Sequence, residues 1–576
     1  MKNRYIIGGL AVALMTPALV SCGDDFLSEE PITNISSVTV NTSEEGANAA
    51  VTGLVRQMQR QFSDLKNGNL NASGETFFAN LYGEGLGPDN NVSEITNYMR
   101  SGCKPANFRY KQNGWWSVWM YDYCYSIIGS ANSILTNLSE DPTNDNELWL
   151  KASALTMRAH AYIRLMQVYA PRWIDSKNGE EYCIVFRIKS GEPNDKQFST
   201  CNEVYDQLYK DLDEAIRCFE SSSKTRGEQI FFVDENVARG LYARLALLKD
   251  DYQTAQKMAH DARKDYPIMS EQEYLSGFTV EKKSSEWMWA PANDPLGVYY
   301  WGFGPHYACN GHYVKSWGYT SSMQYSLYKH FSETDVRSQL YFGPLCVKHA
   351  PEMAAKHGIT EEDFFDPSLY SKQTYLISIT GSGASPKGKN KAMWNFIKEY
   401  GTRWANIRPN DIKGIYPTNS KGISFGVQYK FQGNDDGYTS CWPPYMRSAE
   451  MLLIEAEAAY HNKDNQTAVN CLTELMAKRD PNYSVPATSG EALLDEVKLQ
   501  RRLELWGEGF NWFDYKRWNE VIEYKTFDEN DIENMGSYPT TVAATYQPDF
   551  MMGWRAAIPQ NEFTYNKLAN PALVGL

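Results

Sequence analysis

Residues 297–307 read GVYYWGFGPHY, and five of these eleven side chains are aromatic. Tyr299, Tyr300 and Trp301 are consecutive, and Phe303 and Tyr307 follow closely. Gly302, Gly304 and Pro305 break regular structure here, so the rings show neither the helical nor the strand period of a core face. Rings on an irregular loop have the chemistry of a contact platform, because Tyr and Trp join an apolar face to a polar edge. The stretch to residue 319 adds His306, Tyr313, Trp317 and Tyr319. A second loop, 80–98, offers Tyr82, Asp89, Asn90, Asn91 and Tyr98: two rings beside amides and a carboxylate suited to hydrogen-bonding a ligand. The competing expectation is that the rings pack these loops against the rest of the chain.

Other residue types point away from catalysis. Glu504 and Glu508 lie one helical turn apart, and Glu450, Glu455 and Glu457 share another apolar segment. Hydrolysis of a glycosidic bond needs two carboxylates roughly 5–10 Å apart across a sugar. Glutamates on amphipathic helices more simply read as salt bridges or caps. The eight histidines show no H-x-x-x-H spacing, and His306 and His312 sit on an irregular loop, so no zinc site is expected. Gln432-Gly433-Asn434-Asp435-Asp436-Gly437 lacks the spacing of a calcium loop and reads as a solvated turn. There is no phosphate-binding loop, no nucleophile elbow and no dinucleotide fingerprint. No catalytic residue, metal or cofactor is expected.

The formal net charge of −14 argues against nucleic acid and against anionic lipid surfaces as partners. The N-terminus, MKNRYIIGGLAVALMTPALVSC, reads as an export signal: Lys2 and Arg4 precede an apolar run from Ile6 to Leu14, too short to cross a bilayer. Its ending, Leu19-Val20-Ser21-Cys22, resembles a bacterial lipobox, which implies cleavage before Cys22 and lipidation of its thiol; the alternative is an ordinary secretory signal. Gly23-Asp24-Asp25 resembles the surface-export signal of Bacteroidetes lipoproteins. The expected organisation is a signal peptide at 1–21, a lipid-anchored tether at 22–40 and a single domain at 41–576. Of the ten cysteines, nine remain once Cys22 is set aside. They form no C-x-x-C pair, an odd number cannot all pair within one chain, and buried thiols are expected.

The elements that must position the loops are helical. Thr42 and Ser43 before Glu44-Glu45 mark a helix start leading into ANAAVTGLVRQMQRQF. Trp116, Trp119, Tyr123, Ile127, Ala131, Ile134 and Leu138 recur at three and four, as one buried face does. Leu155, Ala159, Tyr162, Met166 and Tyr169 repeat the pattern before Pro171 stops it. Val204, Leu208, Leu212, Ala215 and Phe219 form a further face. The segment VARGLYARLALLKDDYQTAQKMAHDARKDY predicts two helices joined at Lys249-Asp250-Asp251, with Ala243, Ala255 and Ala259 allowing close approach. This pair resembles a tetratricopeptide unit, without a strict 34-residue period. Residues 63–113 show no sustained period. Residues 270–440 are rich in Gly, Pro, Asn and aromatics, with few amphipathic runs, and helices resume near Met446. The fold class is thus mostly α: tetratricopeptide-like helix pairs forming a scaffold, interrupted by a loop-rich insertion at about 270–440. A loop region this long usually carries function.

RSAEMLLIEAEA, residues 447–458, resembles the R-x-A-E-x-x-L-x-x-A-E-A helix of the SusD/RagB family of outer-membrane lipoproteins. QRRLELWGEGFNWFDYKRW, residues 500–518, is similar to that family's E-R-R-x-E-L-x-x-E-G-x-R-x-x-D-x-x-R-W. Gln500 departs where the family has Glu, and Asn511 where it has Arg. Asp335-x-Arg337 and Ile558-Pro559-Gln560-x-Glu562 resemble two more of its signatures. The likeness extends over nearly the whole chain and is weakest at 270–440. It implies four tetratricopeptide-like pairs packed against an irregular ligand face. It also implies capture of an oligosaccharide or polysaccharide without chemistry, anchorage on the cell surface of the outer membrane, and partnership with a SusC-like TonB-dependent transporter. The same scaffold would equally suit a peptide or another nutrient, and an all-α surface glycosidase is the enzymatic alternative. For a sugar, flat C–H patches lie on rings while polar side chains meet the hydroxyls, which is the use expected of loops 80–98 and 297–319.

Overall fold

The structure, a computed structural model, describes residues 43–59, 61–63, 70–92, 111–278, 284–292, 303–311, 321–369, 388–401, 403, 425–433, 441, 443–526, 528, 530–531, 543–548 and 554–575. The signal, the tether and Cys22 lie outside them. The Ser43 hydroxyl accepts from the Gly46 amide at 3.1 Å and starts helix α1 (Glu44–Arg56), as the sequence predicts.

Helices α2 (Trp115–Thr136) and α3 (Asp145–Tyr169) follow. The period marks one apolar face of α3, yet nearly its whole circumference from Leu148 onward is buried. Its polar residues tolerate this because each finds a partner. Arg158 makes a two-pronged bond to Asp211 at 2.8 Å, and Arg164 reaches Glu75 at 2.7 Å. The chain then forms α4 (Cys201–Ser221), α5 (Glu235–Leu248) and α6 (Tyr252–Ala262). After the insertion come α8 (Ser448–His461), α9 (Asn465–Met476), α10 (Glu491–Glu504) and α11 (Asn511–Trp518). Neighbours in this order pack on one another from α2 to α6; α8 then packs on α6, and α9 and α10 pack on α8.

Two of the helix–helix turns share one construction. In α5–α6, Asp250 takes a left-handed conformation (φ 57°), the Asp251 amide donates to Ala246 O at 2.9 Å, and the Asp251 carboxylate caps the Thr254 amide. In α8–α9, Lys463 (φ 67°), the Asp464 amide to Ala459 O at 2.9 Å, and the Thr467 amide repeat each feature. Ala243, Ala255 and Ala259 are fully buried, which permits the close approach of α5 and α6.

Among the described residues, strands occur as two-stranded antiparallel pairs. β1 (Asn90–Val92) pairs with β5 (Ser321–Met323), β2 (Tyr182–Ile184) with β3 (Ser199–Thr200), and β4 (Trp287–Trp289) with β6 (Met446–Arg447). The insertion is more ordered than its composition predicts. It contains a helix, α7 (Gly388–Gly401), whose buried Met393, Trp394, Ile397 and Tyr400 keep helical spacing, and several short helical turns. Phe342, Phe364, Phe396 and Tyr429 give the insertion an aromatic core of its own.

The motif glutamates are structural. Arg447 and Arg479 both bond Glu504 and Glu286; Arg337 bonds Asp335 and Glu504; Arg447 and Lys430 bond Glu508. Four cations meet four carboxylates, and all eight side chains are at most 3% exposed. Burial alone would raise the Glu504 carboxyl, but Arg479, Arg447 and Arg337 hold it well below the usual carboxylate range. Along α8, Glu450 holds Arg244, Glu455 holds Arg263, and Glu457 holds Arg517. Gln500 replaces a charge without loss of contact: it accepts from Arg337 Nη2 at 2.7 Å and donates to Glu496 at 2.8 Å.

Candidate ligand-binding face

Loop 80–98 begins inside regular structure, contrary to the absence of period in its sequence. A short helix, Gly74–Phe78, runs into a π-helical turn, Ala79–Glu84, that carries Tyr82. The turn is clamped to the α10–α11 junction. A Cβ on Gly83 would lie 2.1 Å from the Gly509 carbonyl oxygen, so only glycine permits this approach. The Glu84 carboxylate accepts from the Gly509 and Phe510 amides at 2.7 and 3.1 Å, while its second oxygen is buried without a partner. Burial pushes this carboxyl up to about 7, against those amide bonds.

Asp89, expected to meet a ligand, is 2% exposed and fully occupied. Arg502 grips both its oxygens at 2.6 and 2.8 Å, Asn511 Nδ2 donates to it at 2.5 Å, and the Trp506 indole donates to its carbonyl at 3.0 Å. Asn511, the second departure from the family pattern, also accepts from the Asp89 amide at 3.2 Å. A short polar side chain at 511 thus seats the start of β1. The residue that follows, Asn90, is buried and donates to the Tyr307 hydroxyl at 2.6 Å.

Phe303 and Tyr307 likewise depart from expectation. Residues 303–307 form one helical turn, in which Pro305 is tolerated because first-turn amides lack intrahelical acceptors. The turn sets these two rings on one side with centroids 4.8 Å apart, and both pack on Phe431. They are 2% and 1% exposed, so they are core rings rather than platform rings. The sequence shows no period here because the consecutive rings at 299–301 mask the four-residue spacing of 303 and 307.

These buried residues form a base from which the loops emerge. Gln428 donates to Tyr307 O at 2.8 Å and accepts from the Phe431 amide at 2.7 Å. Asn310 and Gly433 exchange two hydrogen bonds at 2.7 and 2.8 Å. The Gln428 amide donates to Ser321 O at 3.2 Å, and the Gln324 amide to Asp89 O at 3.0 Å. Segments 93–110, 293–302, 312–320 and 434–440 all leave or enter this base at its edges, at Val92, Phe303, Gly311, Ser321 and Gly433. Asn310, Gln428 and Glu84 are absent from the sequence expectation; as single polar residues in stretches whose sequence shows no period, they carry no periodic signal.

Tyr98, Tyr299, Tyr300, Trp301, Tyr313, Trp317 and Tyr319 lie outside the described residues, as do the side chains of Tyr82, Asn91 and His306. So does most of the 432–437 turn. Among the described residues, no group of three His, Cys, Asp or Glu is arranged to hold a metal ion. Also among them, no helix is long and apolar enough to cross a membrane. A cleft of about 580 Å³ lies elsewhere, between the end of α4, the start of α5 and residues 284–287, and none of the expected site residues lines it.

The sequence matches the SusD family over residues 285–571, and over residues 25–245 a family described as starch-binding and associating with the outer membrane. No curated protein matches it. Among solved structures, the chain is similar to a SusD-like carbohydrate-binding protein from Bacteroides vulgatus, with 19% identity, a TM-score of 0.64, and coverage of 91% of this chain and 97% of that one. A SusD superfamily protein from the same organism gives 18% identity, a TM-score of 0.65, and coverage of 91% and 98%. One from Bacteroides thetaiotaomicron gives 17%, 0.61, and coverage of 91% and 98%. At such identities the structures establish the shared, mostly helical fold.

Proposed function

The chain belongs to the SusD/RagB family, and from that premise we propose that it is a cell-surface glycan-binding lipoprotein. It captures oligosaccharides and hands them to a SusC-like TonB-dependent transporter, without cleaving them. Residues 1–21 serve as signal peptide, Cys22 as the lipid anchor to the outer membrane and 22–40 as tether, leaving 41–576 as one domain. The observation that carries the reading is the convergence of loop roots. One buried base built by Asn90, Tyr307, Asn310, Gln428 and Gly433 launches the segments that bear Tyr98, Tyr299, Tyr300, Trp301, Tyr313, Trp317 and Tyr319. On this reading rings from distant parts of the sequence share one face, which is what stacking on successive sugar units requires. The proposed contact set also includes Tyr82, Asn91 and His306.

A binding role also fits the carboxylates. Glu504 and Glu508 are buried in a charge-balanced network of ion pairs. Calorimetry of residues 23–576 against a glycan panel, beside the double variant Tyr300→Ala with Trp301→Ala, tests the proposal. Binding by the parent, its loss in the variant and unchanged glycan length would bear it out. Binding of peptides alone, or appearance of shortened glycan, would replace it with peptide capture or hydrolysis.

A further inference from the structure

The cleft of about 580 Å³ beside the end of α4 is lined by none of the residues proposed to meet a glycan, and its size suits a small ligand. One guanidinium holds its walls together. Arg226 pairs with Asp234, at the start of α5, at 2.7 Å. It also donates to Met288 O in β4 at 2.7 Å, to Phe232 O at 2.9 Å and to the Tyr266 hydroxyl at 2.6 Å. The Trp287 amide donates to Ser284 O at 3.1 Å and fixes the wall at 284–287. The cleft is therefore shaped by the chain's own hydrogen bonds, before any ligand arrives.

The charges that line it do not balance. Two cations, Lys224 and Arg226, stand beside four carboxylates, Glu220, Asp234, Glu235 and Asp265. Arg226 and Asp234 neutralise each other. Lys224 pairs with Glu44 at 3.1 Å, its ammonium 5.0 Å from the Trp149 ring centroid, and Glu220 pairs with Arg239. Glu235 and Asp265 are left over, and among the described residues their carboxylates make no hydrogen bond or ion pair. Asp265 is exposed and Glu235 partly so, which leaves both open to a ligand. Trp287 has the opposite need. It lines the same cleft at 2% exposed, and its indole N–H is buried without an acceptor. A ligand that answers both needs carries a positive charge and an oxygen acceptor.

We propose that this cleft is a second binding site, for a hydroxylated primary amine: the chemistry of an amino-sugar unit with a free ammonium group. The ammonium pairs with Glu235 and Asp265 through charge-assisted hydrogen bonds. A hydroxyl or ring oxygen accepts from the Trp287 indole. The C–H surface of the sugar meets Ile230 and Tyr266, the partly exposed apolar lining. That the amine comes from a glycan rests on the proposed function; the site itself does not.

Calorimetry of residues 23–576 with glucosamine and with glucose, at low ionic strength, tests it. Glucosamine should bind about tenfold tighter than glucose, and Glu235→Gln with Asp265→Asn should erase that advantage. Thr225→Trp, at an exposed position of the lining, should block the cleft and weaken glucosamine binding by a similar factor. Circular dichroism checks that each variant is folded. Tyr300→Ala with Trp301→Ala should keep the glucosamine advantage while losing neutral glycans, so the two sites fail separately. Equal binding of the two sugars by the parent would overturn the proposal, as would an advantage that survives loss of both carboxylates. An advantage that vanishes with Tyr300 and Trp301 would overturn it too and leave the glycan face standing. Lysinamide binding as tightly as glucosamine would replace the amino sugar with a peptide amine. Glucosamine bound at the cleft by a chain that binds no panel glycan would sustain the site and sink the proposed function alone.

Discussion

Trp119 and Tyr123 on α2, and Phe303 and Tyr307 in the insertion, are two pairs of rings with the same four-residue spacing. The first pair stacks with centroids 5.7 Å apart, the second lies tilted at 4.8 Å, and all four rings are buried. In α2 the spacing is repeated for six turns, so the sequence announces a core face. In the insertion it occurs once, between glycines and beside three consecutive rings, and the sequence points to an exposed platform instead. A helical scaffold writes its packing into a period. An irregular region buries its rings by contacts distant in sequence, here with Phe431 and Trp506.

The contrast can be broken at its strongest point first. Glu504 sits where three arginines converge, so Glu504→Gln leaves buried positive charge uncompensated. It should cost about 3–5 kcal/mol in urea unfolding. A loss below about 1 kcal/mol would mean that the network contributes little to holding scaffold and insertion together. Next, Tyr307→Ala should destabilise by about 3 kcal/mol through loss of a buried ring. Trp301→Ala, on the proposed platform, should leave the melting curve within about 0.5 kcal/mol of the parent and weaken glycan binding. Equal melting shifts in the two variants would erase the distinction between base ring and platform ring.

A third test uses pH. The Glu84 carboxyl is raised in the folded chain, so the proton it binds favours folding. That contribution is fully present below the ordinary value near 4.5 and is lost as pH rises through about 7. The parent should lose up to about 3 kcal/mol relative to Glu84→Gln between those limits, and parallel pH profiles would refute the assignment. The smallest expected effect compares the two matching helix turns. Asp251→Ala and Asp464→Ala should each cost about 1 kcal/mol by uncapping α6 and α9. A several-fold difference between them would show that the turns are alike in geometry and unlike in load.

Legibility in the sequence followed the same division. The end of α3 before Pro171, the α5–α6 turn at Lys249-Asp250-Asp251 and the start of α1 at Ser43 are all where caps and periods place them. The motif glutamates read correctly as structural, because a helix as apolar as 448–458 has to bury its charges and therefore pair them. The loop position of Asp89 misleads for the converse reason. An acidic residue in a loop reads as solvated or ligand-facing, and nothing nearby in sequence reveals that Arg502 and Asn511 will enclose it. The helix α7 is hidden in the sequence although Met393, Trp394, Ile397 and Tyr400 are spaced for it, since the surrounding composition points to loop.

The sequence by itself determined the helical scaffold, its turns, the family and the aromatic supply of the central insertion. Those depend on period, capping chemistry and local residue type, all readable over a few turns of chain. Only the tertiary structure decided which rings are core and which segments spring from one base. It also decided that Asp89 holds a loop in place. Each of those outcomes rests on a pairing between positions far apart along the chain, which packing selects and local pattern does not encode.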